Sequence, residues 1–345
     1  MLSFKLKRII LKFLSLLSVI RGYNIIVLVL AQYLAAIFIF SPKKSLSNIV
    51  FDIDLFYIIL ASICVVAAGY IINNFYDVKV DRINRPLKAG LDDYVKQATK
   101  LKLYFLLNVL GFIFGLLISV KAALFFALYI FAIWLYSHKL KKYPLTGLIS
   151  ATVLTILPFF AVFVYFKNFS KIIFVYAIFL FLLLTIRELL KDLQNMKGAI
   201  VNNYDTFPIF YGEKKTKQLS IFLLILTLFP IVILLRDPAL SYIRYYFYFA
   251  LIVLVFIGFY LWNSTKTNQY RMMHNVLKVL LLIGVFSIIF IDKSLKRFFF
   301  VAELITVLPT KLENGDFAIT RKQFEIALND IPKPEAIIIR TLSNT

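Results

Sequence analysis

The run Leu55-Phe56-Tyr57-Ile58-Ile59-Leu60-Ala61-Ser62-Ile63-Cys64-Val65-Val66-Ala67-Ala68-Gly69-Tyr70-Ile71-Ile72 carries no charge and passes straight into Asn73-Asn74-Phe75-Tyr76-Asp77-Val78-Lys79-Val80-Asp81-Arg82-Ile83-Asn84-Arg85-Pro86. An uncharged stretch of this length suits the hydrocarbon core of a bilayer. Asn73, Asp77 and Asp81 are spaced by four, so a helix through them puts all three on one face. Arg82, Arg85 and Lys88 follow closely. Polar groups at the mouth of a membrane helix are costly, and they are read first as a functional site. Magnesium takes oxygen ligands and bridges carboxylates to phosphates. Arginine and lysine then balance the phosphate charge. The alternative is a solvated loop whose charges pair among themselves, and spacing alone does not separate the two. Pro86 and Gly90 mark where regular structure breaks.

Composition extends this reading to the whole chain. Of 345 residues, 61% are hydrophobic and 17% charged, with a mean hydropathy of +0.85. A soluble domain is about half apolar and about a quarter charged, so the fold class is an all-α polytopic membrane protein. Nine spans of roughly 20 residues are expected, at about 23–41, 54–72, 102–119, 121–137, 146–166, 171–186, 218–235, 243–262 and 275–292. The third and fourth are nearly contiguous and predict a tight hairpin. The sixth is short and ends in charge. These spans surround a central chamber.

The net charge of +21 does not call for nucleic acid. With the N-terminus in the cytoplasm, most lysines and arginines fall on inner segments. Only Lys43, Lys44, Lys121, Lys167, Lys171, Arg236 and Arg244 fall on the short outer loops, which is the positive-inside pattern. The long polar segments, about 73–101 and 187–217, then share the cytoplasmic side. Lys5, Lys7, Arg8 and Lys12 interrupt the first apolar run, so residues 1–20 read as a basic amphipathic helix on the inner surface rather than a cleaved signal. A bacterial inner membrane is the expected location. The lone Cys64 excludes a disulfide within the chain or a multi-cysteine metal site. His138 and His274 are read as interfacial residues.

A second charged cluster closes the sixth span: Arg187-Glu188-Leu189-Leu190-Lys191-Asp192. Glu188 and Asp192 are again four apart. Two acidic–basic clusters at the inner ends of two spans predict a shared chamber. A third run, Tyr136-Ser137-His138-Lys139-Leu140-Lys141-Lys142, is either positive-inside anchoring or a further phosphate clamp. No glycine-rich nucleotide loop, nucleophile elbow or zinc spacing is present.

At these residues the chain resembles the UbiA superfamily of intramembrane prenyltransferases. Asn73-Asn74-x-x-Asp77-x-x-x-Asp81 with Arg85-Pro86 resembles the family's N-D-x-x-D-x-x-x-D motif, with Asn74 in place of an aspartate. Arg187-Glu188-x-x-Lys191-Asp192, followed by Thr206-Phe207-Pro208, resembles the second motif of the branch acting on geranylgeranylglycerol phosphate. Asn195, Lys197 and Ala199 stand there where relatives often carry acids. Arg21 with Asn24, and Tyr136-Ser137 with Lys139, Lys141 and Gly147, also resemble family segments. The likeness covers about 15–292.

The resemblance implies Mg2+-dependent transfer of a prenyl group from a prenyl diphosphate to a lipid-like or aromatic acceptor. Asn73, Asp77, Asp81, Glu188 and Asp192 would hold the metal, with Asp205 a further candidate; Asp77, Asp81 and Asp192 would carry catalysis. Asn24, Asn73, Arg82, Arg85, Lys88, Tyr136, Lys139, Lys141, Arg187 and Lys191 would bind substrate. The apolar chamber would protect an allylic cation from water. The alternative functions are a catalytically degenerate member or a carrier of an anionic or isoprenoid lipid. The expected organisation is a surface segment over 1–20, a membrane domain over 21–292 and a tail of unknown function over 293–345. In that tail Thr320-Arg321-Lys322-Gln323 reads as a capping box opening a helix to Asn329.

Overall fold

The computed structural model describes residues 4–237 and 240–291; the tail and its expected short helix lie outside the described residues. Every regular element among the described residues is helical. In chain order they are α1 (Phe4–Val19), α2 (Gly22–Leu34), α3 (Leu46–Val50), α4 (Ile53–Tyr76), α5 (Val78–Asn84), α6 (Pro86–Asp92), α7 (Gln97–Ile118), α8 (Val120–His138), α9 (Pro144–Phe166), α10 (Lys171–Val201), α11 (Phe207–Tyr211), α12 (Glu213–Arg236), α13 (Arg244–Trp262) and α14 (Thr267–Ser287). A π-helical turn over Ala35–Phe40 prolongs α2. Among the described residues nine helices are long and apolar enough to cross a membrane: α2 with its π turn, α4, α7 to α10, and α12 to α14.

Two expected boundaries move, each for a physical reason. The sequence reading ends the sixth span at 186, whereas α10 runs 31 residues to Val201. Leu189, Leu190, Leu193 and Ala199 recur at helical spacing and are buried, so burial of one face carries the helix through the charged motif. The sequence also suggests one helix through residues 73–81. Instead Asp77 stands between α4 and α5 at φ −96°, ψ 10°. Asp77 N–H still donates to Asn73 O (3.0 Å) and Asp81 N–H to Asp77 O (2.8 Å). The helix bends there and keeps its register.

Packing forms two main apolar cores. One gathers α2, α4, α8 and α9 around residues such as Leu55, Ile71, Phe126 and Val162. The other gathers α10 and α12 to α14 around Leu183, Leu190, Phe247 and Leu277. Gly111 lets α7 approach α4: a Cβ there would meet Val65 Cγ2 at 2.7 Å. Small residues allow this close packing where lipid offers no hydrophobic driving force. Ser119 alone connects α7 to α8. Its N–H donates to Gly115 O (3.2 Å), its carbonyl accepts from Ala123 (2.9 Å), and its hydroxyl accepts from Ala122 N–H (3.1 Å).

The membrane also demands a partner for every backbone group. Pro158 in α9 has no N–H, which frees the carbonyl of Leu154. Tyr129 on α8 donates its hydroxyl to that oxygen at 2.9 Å. Gln32, fully buried, donates to Pro158 O at 2.9 Å. These bonds tie α2, α8 and α9 together one layer below the polar ends.

Candidate active site

The bend at Asp77 places its carboxylate against Lys141, with Nζ to Oδ1 at 2.6 Å. Lys141 also donates to Asn73 Oδ1 at 3.2 Å. Its side chain is only 7% exposed. The rings of Tyr76 and Tyr204 flank its ammonium at 5.6 and 5.5 Å, which offsets part of its desolvation. Tyr204 donates its hydroxyl to Asp77 at 3.3 Å. Burial, and then the adjacent Asp77 carboxylate, push the Tyr204 hydroxyl well above the usual phenol range, so it remains a donor at neutral pH.

Local geometry selects Lys141 from a run of lysines. α8 ends at His138, and a short 3-10 turn, Leu140–Lys142, follows. α9 then packs directly on that turn at Gly147, where a Cβ would sit 3.2 Å from both Leu140 O and Lys141 Cα. The Asp205 N–H donates to Lys142 O at 2.9 Å and fixes the loop after α10 to the same turn. Lys141 is thereby turned inward, while Lys139 stays exposed.

α10 brings the second cluster to this place. Asn84, at the end of α5, donates to Asn195 O (3.3 Å) and accepts from Gly198 N–H (3.3 Å). Gly198 makes room for it: a Cβ would come within 2.9 Å of Asn84 Cγ. Glu188 is buried and held by Lys191 and, at 3.2 Å, by Arg187. Tyr136 lies within electrostatic reach of Lys191, Glu188, Asp192 and Asp77. A small cavity opens here, lined by Tyr136, Lys141, Gly147, Glu188, Asp192 and Thr206. The Thr206 hydroxyl is buried with no hydrogen-bond partner among the described residues.

A polar network outside the expected set backs the first motif. Asn74 does not share the role of Asn73. It is buried, donates to Asp92 Oδ2 at 2.9 Å and accepts from Lys100 at 3.2 Å. Asp92 is 2% exposed. It also takes Ser18 Oγ at 2.7 Å and Lys88 Nζ at 2.7 Å, so it pins α1 to α4 and α6. The contacts cross large sequence separations, and no local spacing announces them. His274, in the second turn of α14, has its Nδ1 3.3 Å from Arg187 O. A carbonyl only accepts, so Nδ1 carries the proton.

The expected site residues divide accordingly. Asn73, Asp77, Lys141, Tyr136, Arg187, Glu188, Lys191 and Asp192 surround one locus. Asp81 stands one turn further along, its N–H donating to Asp77 O at 2.8 Å, with Lys88 Nζ 3.8 Å from its carboxylate. Asn24 sits one turn deeper, donating to the Tyr70 hydroxyl at 3.2 Å. Arg82 is exposed and pairs with Asp93 at 3.4 Å, because as the residue after Asp81 on α5 it points off the Asp77–Asp81 face. Arg85 and Lys139 have no ion-pair partner among the described residues. Asp205 is exposed.

The expected metal ligands, Asn73, Asp77, Asp81, Glu188 and Asp192, all offer oxygen donors. Among the described residues no three acidic, histidine or cysteine side chains converge as a metal site. Glu188 is committed to Lys191 and Arg187. What remains is an all-oxygen set, Asn73, Asp77, Asp81 and Asp192, already part-neutralised by lysines. It fits a hard cation that takes one or two carboxylates and completes its shell with phosphate oxygens and water.

Comparison with known proteins follows the same lines. The family model described as the UbiA prenyltransferase family matches residues 29–282. A digeranylgeranylglyceryl phosphate synthase of Methanobrevibacter smithii is 32% identical over 218 residues, 61% of this chain and 73% of that protein. One from Methanosphaera stadtmanae is 33% identical over 178 residues, 49% of this chain and 63% of that protein. Among solved structures, a digeranylgeranylglyceryl phosphate synthase superposes with a TM-score of 0.61 at 22% identity, over 81% of this chain and 97% of that one. A UbiA homologue from Archaeoglobus fulgidus bound to GPP and Mg2+ gives 0.59 at 15% identity, over 80% and 99%.

Proposed function

This chain belongs to the UbiA prenyltransferase family, and from that premise we propose that it moves a prenyl group from a prenyl diphosphate onto a glycerol-phosphate-type lipid. It is a multi-pass membrane prenyltransferase. The observation that carries the finer reading is the seam between α5 and α10. Asn84 ties α5 to α10 at Asn195 and Gly198, just beyond the Arg187–Asp192 stretch. The cationic groups Lys141, Lys191 and Arg187 thereby share one locus with Asp77 and Asp192.

In the proposed reaction Lys141, Lys191, Arg187 and Arg85 receive the diphosphate and neutralise charge as the carbon–oxygen bond breaks. Magnesium, when bound, would be held by Asp77, Asp81 and Asp192 and would supply Lewis-acid stabilisation of the leaving oxygens. Tyr204 keeps the Asp77 carboxylate oriented. The apolar walls of the two cores exclude water from the allylic cation. The acceptor hydroxyl then captures that cation, and its proton leaves to a carboxylate or to water.

Support for a lipid acceptor comes from the R-E-x-x-K-D pattern and from the names of the archaeal relatives. Those relatives lend nothing to a bacterial host, so the proposed location is a cell membrane with α1 and the site on its cytoplasmic face, as the charge bias indicates. The test is incubation of the purified protein in detergent with radiolabelled geranylgeranyl diphosphate, with and without Mg2+. A prenylated glycerol phosphate and a set of aromatic acceptors are compared. Labelled product with the glycerol phosphate is expected. Product only with an aromatic acceptor overturns the acceptor assignment, and no product or released diphosphate with any acceptor favours a degenerate member or a carrier.

A further inference from the structure

Lys88 lies between two carboxylates and is shared unequally. Its Nζ is 2.7 Å from Asp92 and 3.8 Å from Asp81. Asp92 is the more buried of the two, its side chain 3% exposed against 17% for Asp81. A buried carboxylate is stable only when its charge and lone pairs are satisfied. Ser18, Asn74 and Lys88 do this together. Lys100 in turn holds Asn74. The result is a fixed anion directly behind the first acidic motif.

We propose that Asp92 is a positioning residue that draws Lys88 away from Asp81 and so keeps the Asp81 carboxylate open to the cation and diphosphate of the reaction. The idea rests on the proposed function and deepens it. Without the Asp92 charge, Lys88 would have one remaining acidic partner in reach, and an ammonium settled on Asp81 competes with any metal for the same oxygens. Lys88 thus changes from a group that faces the diphosphate to a plug on its site. Helix α6 carries both residues, and their separation of four places them on one side of it.

The experiment measures Mg2+-dependent binding of inorganic diphosphate to the purified protein, read by intrinsic fluorescence, so it needs no turnover. Asp92→Asn is expected to raise the Mg2+ concentration for half-maximal binding about tenfold, a coupling of ordinary size within an ion-pair network. In a Lys88→Met background the same Asp92→Asn change is expected to have no further effect. A structural loss alone would shift both backgrounds equally, and that result, or no shift in either, overturns the proposal. Lys88→Met by itself supplies a check that does not depend on folding of the Asp92 variant. Its Mg2+ midpoint should not fall below the parent's by more than about threefold, and it rises to the extent that Lys88 itself contacts the diphosphate. A tenfold fall would mean that Lys88 plugs Asp81 in the parent chain and would equally overturn the idea. Absence of Mg2+-dependent diphosphate binding in the parent overturns the functional reading itself, which keeps the two failures apart.

Discussion

Lys141 and Asp77 hold each other at 2.6 Å, with two aromatic rings and an amide leaving the ammonium little room to turn away. In the proposed reaction a substrate phosphate entering here would replace one anion beside Lys141 with another, so the lysine would change partner without being desolvated afresh. Asp77→Asn and Asp81→Asn preserve shape and remove only charge. Each is expected to lower turnover at least about a hundredfold, as for other losses of charge stabilisation, and Asp77→Asn should also lower the melting temperature because it leaves the buried Lys141 ammonium without its carboxylate. Near-parental turnover in either would remove that residue from the site. Asn74→Asp restores the family's residue but would set two carboxylates side by side at the present 2.9 Å contact with Asp92. It should cost about 1–3 kcal/mol of stability, the usual penalty for a buried polar group deprived of its partner. A melting temperature equal to or above the parent would show that Lys100 can absorb the added charge.

Helices α5 and α10 meet through Asn84 and Gly198 at the level where both motifs open. Replacing Asn84 by Ala removes two hydrogen bonds across that seam, each worth about 1 kcal/mol. Activity should fall further than stability does, because the two halves of the site lose their relative placement; equal losses would assign Asn84 a purely structural part. The helical spacing at Asn73–Asp81 and at Glu188–Asp192 is readable from sequence, since a four-residue interval needs only local geometry. The choice of Lys141 over Lys139 is not, because it depends on α9 pressing on the turn through Gly147. The Asp92 network is invisible for a related reason: Ser18 and Asp92 are 74 positions apart, and only the docking of α1 brings them together. The extension of α10 was readable in principle, from the buried leucines interleaved with its charges.

The molecule as a whole packs around two main membrane cores, with the candidate site gathered from α4, the turn after α8, and α10. Hydropathy carries the nine spans and charge bias proposes their sense, whereas the pairing of spans into two cores depends on side-chain fit that no window average records. The sense can be checked with the protein's own composition, because the single cysteine, Cys64, is buried. Lys197→Cys on exposed α10 and Lys121→Cys at the opposite end of the bundle are both exposed positions. A membrane-impermeant maleimide should label the Lys197→Cys variant only in inside-out vesicles and the Lys121→Cys variant only in right-side-out ones. The reverse pattern would invert the topology.

The turn at Ser119 has a consequence for how the chain is made. One residue links two spans, and each of its polar backbone groups already has a partner in the adjoining helices. A nascent chain therefore has no slack with which to leave α7 threaded alone while α8 is still being synthesised; the two must partition sideways into lipid as a preassembled pair. Lengthening this corner with a flexible glycosylation-acceptor insert would uncouple the two insertion events, and a burst of half-inserted product on the ribosome is the signature to look for. Equal insertion efficiency with and without the insert would show that α7 settles in the bilayer unaided.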